Sequence, residues 1–404
     1  MRYKAILCAI LMVATMAGCR PQKKVSSFGD DVAFLKEHAD VVVLSMGDAQ
    51  VAVVPAYQGR VMTSTAGGPA GASFGWINRE LIASGRTGPH MNAFGGEDRF
   101  WMGPEGGQFA IFFAKGAEFK FEDWQTPAVI DTEPFDLVAK TPAEATFKKT
   151  THLTNYSGTT FDLQIDRAVR LLDGAAMKAA LGLDVPASVR TVAYESDNKI
   201  TNTGDKPWVK GTGLLSIWIL GMFNPSDATT IVIPFEPGPE SELGHKVNDE
   251  YFGKVPADRL IVKDDVLFFS GDGKYRSKIG LSPSRAKSVA GSYDADGKVL
   301  TLVQYTKPRG ATDYVNSMWE LQDDPFAGDV VNSYNDGPAT PGAKPMGPFY
   351  ELETSSPAAA LAPGQSLSHV HRTFHLQGPE AELDKIARSL LGVSLQEIKT
   401  ALPR

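Results

Sequence analysis

Short runs of apolar residues, alternating with polar ones and broken by turn residues, dominate the chain. Period-two alternation separates the two faces of a strand, as period 3.6 separates those of a helix. Val41–Leu44, a Gly47-Asp48 turn and Val51–Val54 read as a hairpin. Strand-like runs follow at Phe109–Phe113, Phe119–Phe121, Ala128–Asp131, Phe135–Val138 and Ala145–Leu153. More lie at Thr160–Leu171, Val189–Thr201, Gly213–Leu220, Thr230–Pro234, Leu260–Phe269 and Val299–Tyr305. Helical spacing is confined to the ends. Asp30-Asp31 starts a helix running to about His38, Leu383, Ile386 and Leu390 mark a second from Pro379, and Ser394 caps a third through Ala401.

No strand–helix–strand rhythm is present, which excludes a doubly wound parallel sheet. No fixed-period repeat suggests a propeller or solenoid. The pattern predicts an all-β protein, a large antiparallel sandwich with a short N-terminal helix and a C-terminal helical tail over 379–402. Residues 30–404 form one domain, and the Pro/Gly-rich stretch Pro338–Pro348 reads as a loop at the mouth of the sandwich.

The first nineteen residues stand apart. Arg2 and Lys4 precede an apolar run from Ala5 to Met16, and small residues lead into Cys19. This is the pattern of a lipoprotein signal peptide, with Cys19 the lipidated residue and 20–29 a polar tether. The expectation is an exported protein, lipid-anchored to a bacterial membrane and facing periplasm or surface. Cys8 lies within the signal, so the mature domain holds no thiol for a disulfide, a nucleophile or a metal. A net charge of −7 without a basic block gives no footprint for nucleic acid.

Two stretches concentrate chemistry. In the strand Tyr350-Glu351-Leu352-Glu353-Thr354, alternation puts both carboxylates on one side. Preceded by Asn335-Asp336-Gly337, it reads as one arm of a hairpin that Ser368–His375 closes. The stretch from His90 to Gly107 carries Gly95-Gly96-Glu97-Asp98-Arg99-Phe100-Trp101, whose glycines mark unusual dihedrals or close backbone approach. Carboxylates and Arg suit pairs of sugar hydroxyls, and an aromatic face suits a pyranose ring. Trp218, on a strand with Ser216 and Leu220, reads as core or as a cleft wall. His369 and His371 share a strand face; a metal there needs a third ligand, for which a glutamate of the paired strand is the candidate, but exposed strand histidines are commoner and neither metal nor cofactor is assigned.

The Gly-Gly-Glu-Asp-Arg-Phe-Trp loop, the Asn202-Thr203-Gly204 turn with Trp218, and Tyr-Glu-Leu-Glu-Thr followed by Leu361-Ala362-Pro363-Gly364 together resemble the galactose mutarotase-like superfamily, in its exported lipoprotein branch. The resemblance covers most of residues 40–377. It implies a β-supersandwich that binds carbohydrate, with a Glu base and a His acid opening and reclosing an aldose ring. Glu353 or Glu351 falls at the late glutamate, and Arg99 at the early substrate-contacting Arg. The mid-chain His has no match: Trp218 stands in its neighbourhood, leaving His90 as the acid. Glu97, Asp98, Trp101, Trp218, Asn335 and Asp336 complete the expected substrate contacts. The alternatives are a non-catalytic glycan-binding lipoprotein and a lyase or hydrolase on the same fold.

Overall fold

The computed structural model describes residues 26–403. The signal segment, Cys19 and most of the tether lie outside the described residues. Three antiparallel sheets make up the protein. Val42–Met46, Ala49–Val54 and Arg60–Thr65 form a small one. A ten-stranded sheet runs in space as Leu260–Val262, Val266–Ser270, Thr229–Pro234, Val289–Asp294, Val299–Tyr305, Ser366–Gln377, Arg190–Asn202, Thr160–Leu171, Glu144–Thr154 and Asp136–Lys140. A five-stranded sheet runs as Ser277–Leu281, Val331–Asn335, Tyr350–Ser355, Ser216–Phe223 and Arg99–Gly103. Among the described residues, no helix is long and apolar enough to cross a membrane.

The all-β antiparallel expectation holds, and so does the helical tail, Glu380–Leu391 with Leu395–Ala401. The tail buries Leu383, Ile386, Leu391 and Ile398 against Val232, Phe268 and Leu302 of the large sheet. Its last helix starts on a capping box, Ser394 Oγ accepting from Glu397 N while Glu397 accepts from Ser394 N. The first helix begins at Phe28, capped by Ser27 rather than by the acidic pair, and so reaches into the span read as tether.

Local alternation misassigned several segments. Phe109–Phe113 is irregular: Ile111 N donates to Pro104 O and Gln125 N to Phe112 O, so loop carbonyls replace a ladder while the side chains fill core. Ala128–Asp131 is a helical turn after Pro127, and Phe119–Phe121 runs into a 3-10 turn at Phe121–Asp123. Leu260–Phe269 is two strands, parted by a turn at Lys263–Asp265. Conversely, Arg99–Gly103 is a strand where the glycine-rich stretch read as loop.

The predicted hairpin of Tyr350–Ser355 with Ser366–Gln377 does not form. The first pairs with Val331–Asn335 and Ser216–Phe223, and the second with Val299–Tyr305 and Arg190–Asn202. The two strands instead meet face to face across the sandwich, where Thr354 Oγ1 lies 2.9 Å from both His369 Nε2 and His371 Nδ1. Both histidines are fully buried. Burial pushes His369 down to about 3 and His371 to about 4.

That depression makes the fold acid-sensitive. Unfolding restores an ordinary histidine, so between about pH 6.5 and 4 the unfolded chain binds protons the native state refuses. The stability due to neutral His371 is complete above 6.5 and is lost as pH falls toward 4. Urea unfolding of wild type and His371→Gln should show their stability difference shrinking by about 1.4 kcal/mol per pH unit in that window. A pH-independent difference would overturn this.

Candidate functional site

Strand register assembles the site. Across the five-stranded sheet Lys278 lies opposite Tyr334, Tyr334 opposite Glu351, and Glu351 opposite Met222. Two residues along, Gly280, Asn332, Glu353, Leu220 and Arg99 form the next row. Trp218 faces Trp101 in a third. Residues directly across a ladder share a face, as do positions two apart on one strand. All these side chains therefore lie on one face. The other carries Ile279 and Leu352, which pack on Ile231 and Phe269 of the large sheet.

Two pairings of a basic with an acidic side chain sit on the polar face, each backed by a tryptophan. Arg99 Nη2 binds Glu351 Oε1, and the guanidinium lies 5.0 Å from the Trp101 ring centroid. Lys278 Nζ donates to Glu353 Oε2 at 2.9 Å and lies 4.7 Å from the Trp218 centroid. Trp218 Nε1 donates to the same carboxylate oxygen at 3.0 Å. The two indoles meet edge to face, 5.7 Å apart. Three buried polar atoms here have no hydrogen-bond partner among the described residues: Glu353 Oε1, Arg99 Nε and Trp101 Nε1. Buried polar atoms left unpaired are costly, and a group of them on one face is what a hydroxylated ligand satisfies.

Burial, opposed by Arg99 and reinforced by Glu353, pushes Glu351 up to about 8. It thus holds a proton near neutral pH. Burial also pushes Glu105 up to about 7, against the nearby Lys278. Burial would lower Lys278, but Glu353 and Glu105 outweigh it and raise the ammonium. Tyr251 completes the edge, 5.4 Å from Lys278 Nζ by its ring centroid, with its hydroxyl donating to Asp329 at 2.6 Å and accepting from Asn332 Nδ2 at 3.0 Å.

The glycine pair ahead of Arg99 serves close approach. Gly95 and Gly96 have φ of +98° and +112°, and a Cβ on Gly95 would stand 2.1 Å from Trp76 O. The chain turns there, and Glu97 and Asp98 enter the interior instead of the polar face. Glu97 accepts from Ser64 N, Ser64 Oγ and Tyr194 OH, with His375 Nε2 at 3.0 Å. Asp98 Oδ1 accepts from Arg167 Nη2 at 2.6 Å.

Asn335 and Asp336 hold loops. Asn335 Nδ2 donates to Asp272 and Tyr275 O, while Asp336 accepts from Tyr334 OH and Gly347 N. His90 is bound through Nδ1 to Trp124 O and lies against the Phe121 ring. The structure therefore brings Glu351, Glu353, Arg99, Trp101 and Trp218 together, and sets the remaining expected contacts in other surroundings. Lys278, Glu105 and Tyr251 join the site without having been singled out. The alternation in Ser277-Lys278-Ile279 was the available signal for the lysine. No group of three or more metal-ligating side chains is found among the described residues.

An antiparallel β-protein with paired carboxylates and tryptophans on the polar face of its five-stranded sheet is thus defined. The chain belongs to a family of unknown function, DUF6786, whose model matches residues 26–402. A comparison with curated proteins found no match. Among solved structures it is similar to the Slr1438 protein of Synechocystis sp. PCC 6803, at 12% identity over 84% of this chain and 96% of that one, with a TM-score of 0.49. It is also similar to a galactose mutarotase-like protein from Lactobacillus casei ATCC 334, at 11% identity over 84% and 100%, TM-score 0.46. A galactose mutarotase related enzyme from Lactobacillus acidophilus gives 8% over 83% and 97%, TM-score 0.45.

Proposed function

We propose that the polar face of the five-stranded sheet binds a carbohydrate and that Glu351 and Glu353 exchange the proton that opens an aldose ring. The observation carrying this reading is the pairing of two carboxylates with two tryptophans beside three unpartnered buried polar atoms. Glu353 Oε1 takes the proton of the anomeric hydroxyl while protonated Glu351 donates to the ring oxygen, and the bond from C1 to that oxygen breaks. Rotation about the exposed C1–C2 bond and the reverse transfers close the other anomer, restoring both glutamates. Glu351 replaces His90 as the acid because it is two residues from Glu353 on the same strand face, about 7 Å away along the backbone. The basic, apolar and small-residue order ending at Cys19 supports export and lipid anchoring, which the mass of the mature N-terminus tests.

Proton NMR of a panel of reducing sugars with the protein tests the reading. Line broadening and faster anomer exchange are expected for the sugar that fits. Broadening with unchanged exchange would reject the reaction and leave a glycan-binding protein; a panel without broadening would remove both.

A further inference from the structure

We infer that the sugar taken at this site is a hexuronic acid, its carboxylate held by Arg276 while its anomeric carbon lies at the paired glutamates; this specifies the carbohydrate reading above and rests on it. Arg276 is half-buried and directly precedes the strand Ser277–Leu281. Alternation puts it on the side of Lys278, which is the polar face. Its guanidinium carbon lies 3.8 Å from the Phe252 ring centroid, and among the described residues its side chain makes no hydrogen bond or ion pair.

One segment ties Arg276 to the glutamate site. Asn248 pairs with Gly280 on the edge strand of the sheet, each N–H donating to the other's carbonyl at 2.8 Å. The chain then brings Tyr251 beside Lys278, where Asn332 and Asp329 hold its hydroxyl. The next residue, Phe252, lies against Arg276, with its ring 6.0 Å from that of Tyr334. The charge of Arg276 acts on Glu105 together with that of Lys278, and on Tyr334, so the guanidinium faces the same polar surface. It stands two residues from Lys278, about 7 Å along the strand, and Lys278 Nζ is on Glu353. One pyranose ring bridges that interval between its anomeric hydroxyl and a carboxylate on C5.

Charge selects the ligand class. Arg99 and Lys278 are paired with Glu351 and Glu353, whereas Arg276 is not. Asp336, whose proton affinity the charge of Arg276 also lowers, accepts instead from Tyr334 OH and Gly347 N. The planar guanidinium is thus left with its fork of donors for a ligand, and it matches a carboxylate in bidentate geometry. A dianionic phosphate would bring a second negative charge toward Glu105 and Glu353 without a second unpaired cation to meet it. Phe252, 44% exposed, adds an apolar ring beside the carboxylate end of the sugar.

Titration calorimetry of the full chain with the free hexose, the hexuronate and the hexose 6-phosphate of the gluco, galacto and manno series tests this. In the series that fits, the hexuronate should bind on the order of tenfold more tightly than the hexose. Added salt should narrow that preference. Arg276→Met, which keeps an apolar side chain on Phe252, should abolish it, and Arg276→Lys, which keeps the charge without the fork, should retain part of it. Thermal unfolding of both variants separates loss of the carboxylate contact from loss of the fold. Equal affinity for hexose and hexuronate, or a preference that survives Arg276→Met, overturns the carboxylate assignment and leaves the carbohydrate reading standing. Tighter binding of the 6-phosphate than of the hexuronate overturns it as well. Binding of none of the sugars removes the carbohydrate reading and the assignment together.

Discussion

Glu353→Gln is expected to slow anomer exchange by about a hundred- to ten-thousand-fold while sugar binding survives, measured by exchange NMR and line broadening on one sample. The amide is isosteric: it still accepts from Trp218 Nε1 or Lys278 Nζ but has no basic oxygen for the anomeric proton. A companion signature comes from Glu351. Its carboxyl, raised to about 8 by burial, is a donor below that pH and loses its proton above it. Exchange should therefore fall as pH rises through about 8. Glu351→Gln keeps a hydrogen-bonding group beside Arg99 but cannot return a proton, so it too should lose exchange. If Glu353→Gln binds and exchanges as wild type does, the catalytic assignment fails. Thermal unfolding belongs beside both measurements, because the substitution deprives Lys278 of its closest carboxylate.

These residues were unequally legible. The Glu351/Glu353 pair could be read directly, because strand periodicity is a local property and Tyr-Glu-Leu-Glu-Thr displays it without interruption. Their partner was not. Lys278 sits in the short strand Ser277–Leu281, whose sequence contains Gly280 and resembles the loops around it. Only pairing with Val331–Asn335, more than fifty residues on, places its ammonium on Glu353. The hairpin expectation failed for a related reason. A turn with strands on either side predicts pairing, but nothing local tells that the second strand changes sheet. His90 shows the remaining gap. Its sequence distance from Arg99 is small, yet the path of the intervening loop decides its surroundings, and that path carries it to Trp124.

Arg167→Met is expected to be the most damaging single substitution, lowering unfolding free energy by about 3–5 kcal/mol in urea titrations. Arg167 is fully buried between the sheets and donates to Asp98 Oδ1, Asp98 O, Gly59 O and Asn198 Oδ1. Removing it leaves the Asp98 carboxylate without its cation, and takes a donor from Gly59 O and Asn198 Oδ1. Replacing both partners, as Arg167→Met with Asp98→Leu, removes the charges together and should recover most of the loss, since apolar substitutes for a buried pair are often close to neutral. The double-mutant cycle would then report a large coupling energy. Recovery of stability need not recover function. Asp98 immediately precedes Arg99, and its backbone carbonyl accepts from both Arg167 and Val61 N. The ion pair thus fixes the point at which the chain leaves the interior and delivers Arg99 to Glu351. The double variant is expected to fold yet bind sugar more weakly than wild type. Wild-type binding in a stable double variant would show that the pair holds the sandwich together without positioning the site.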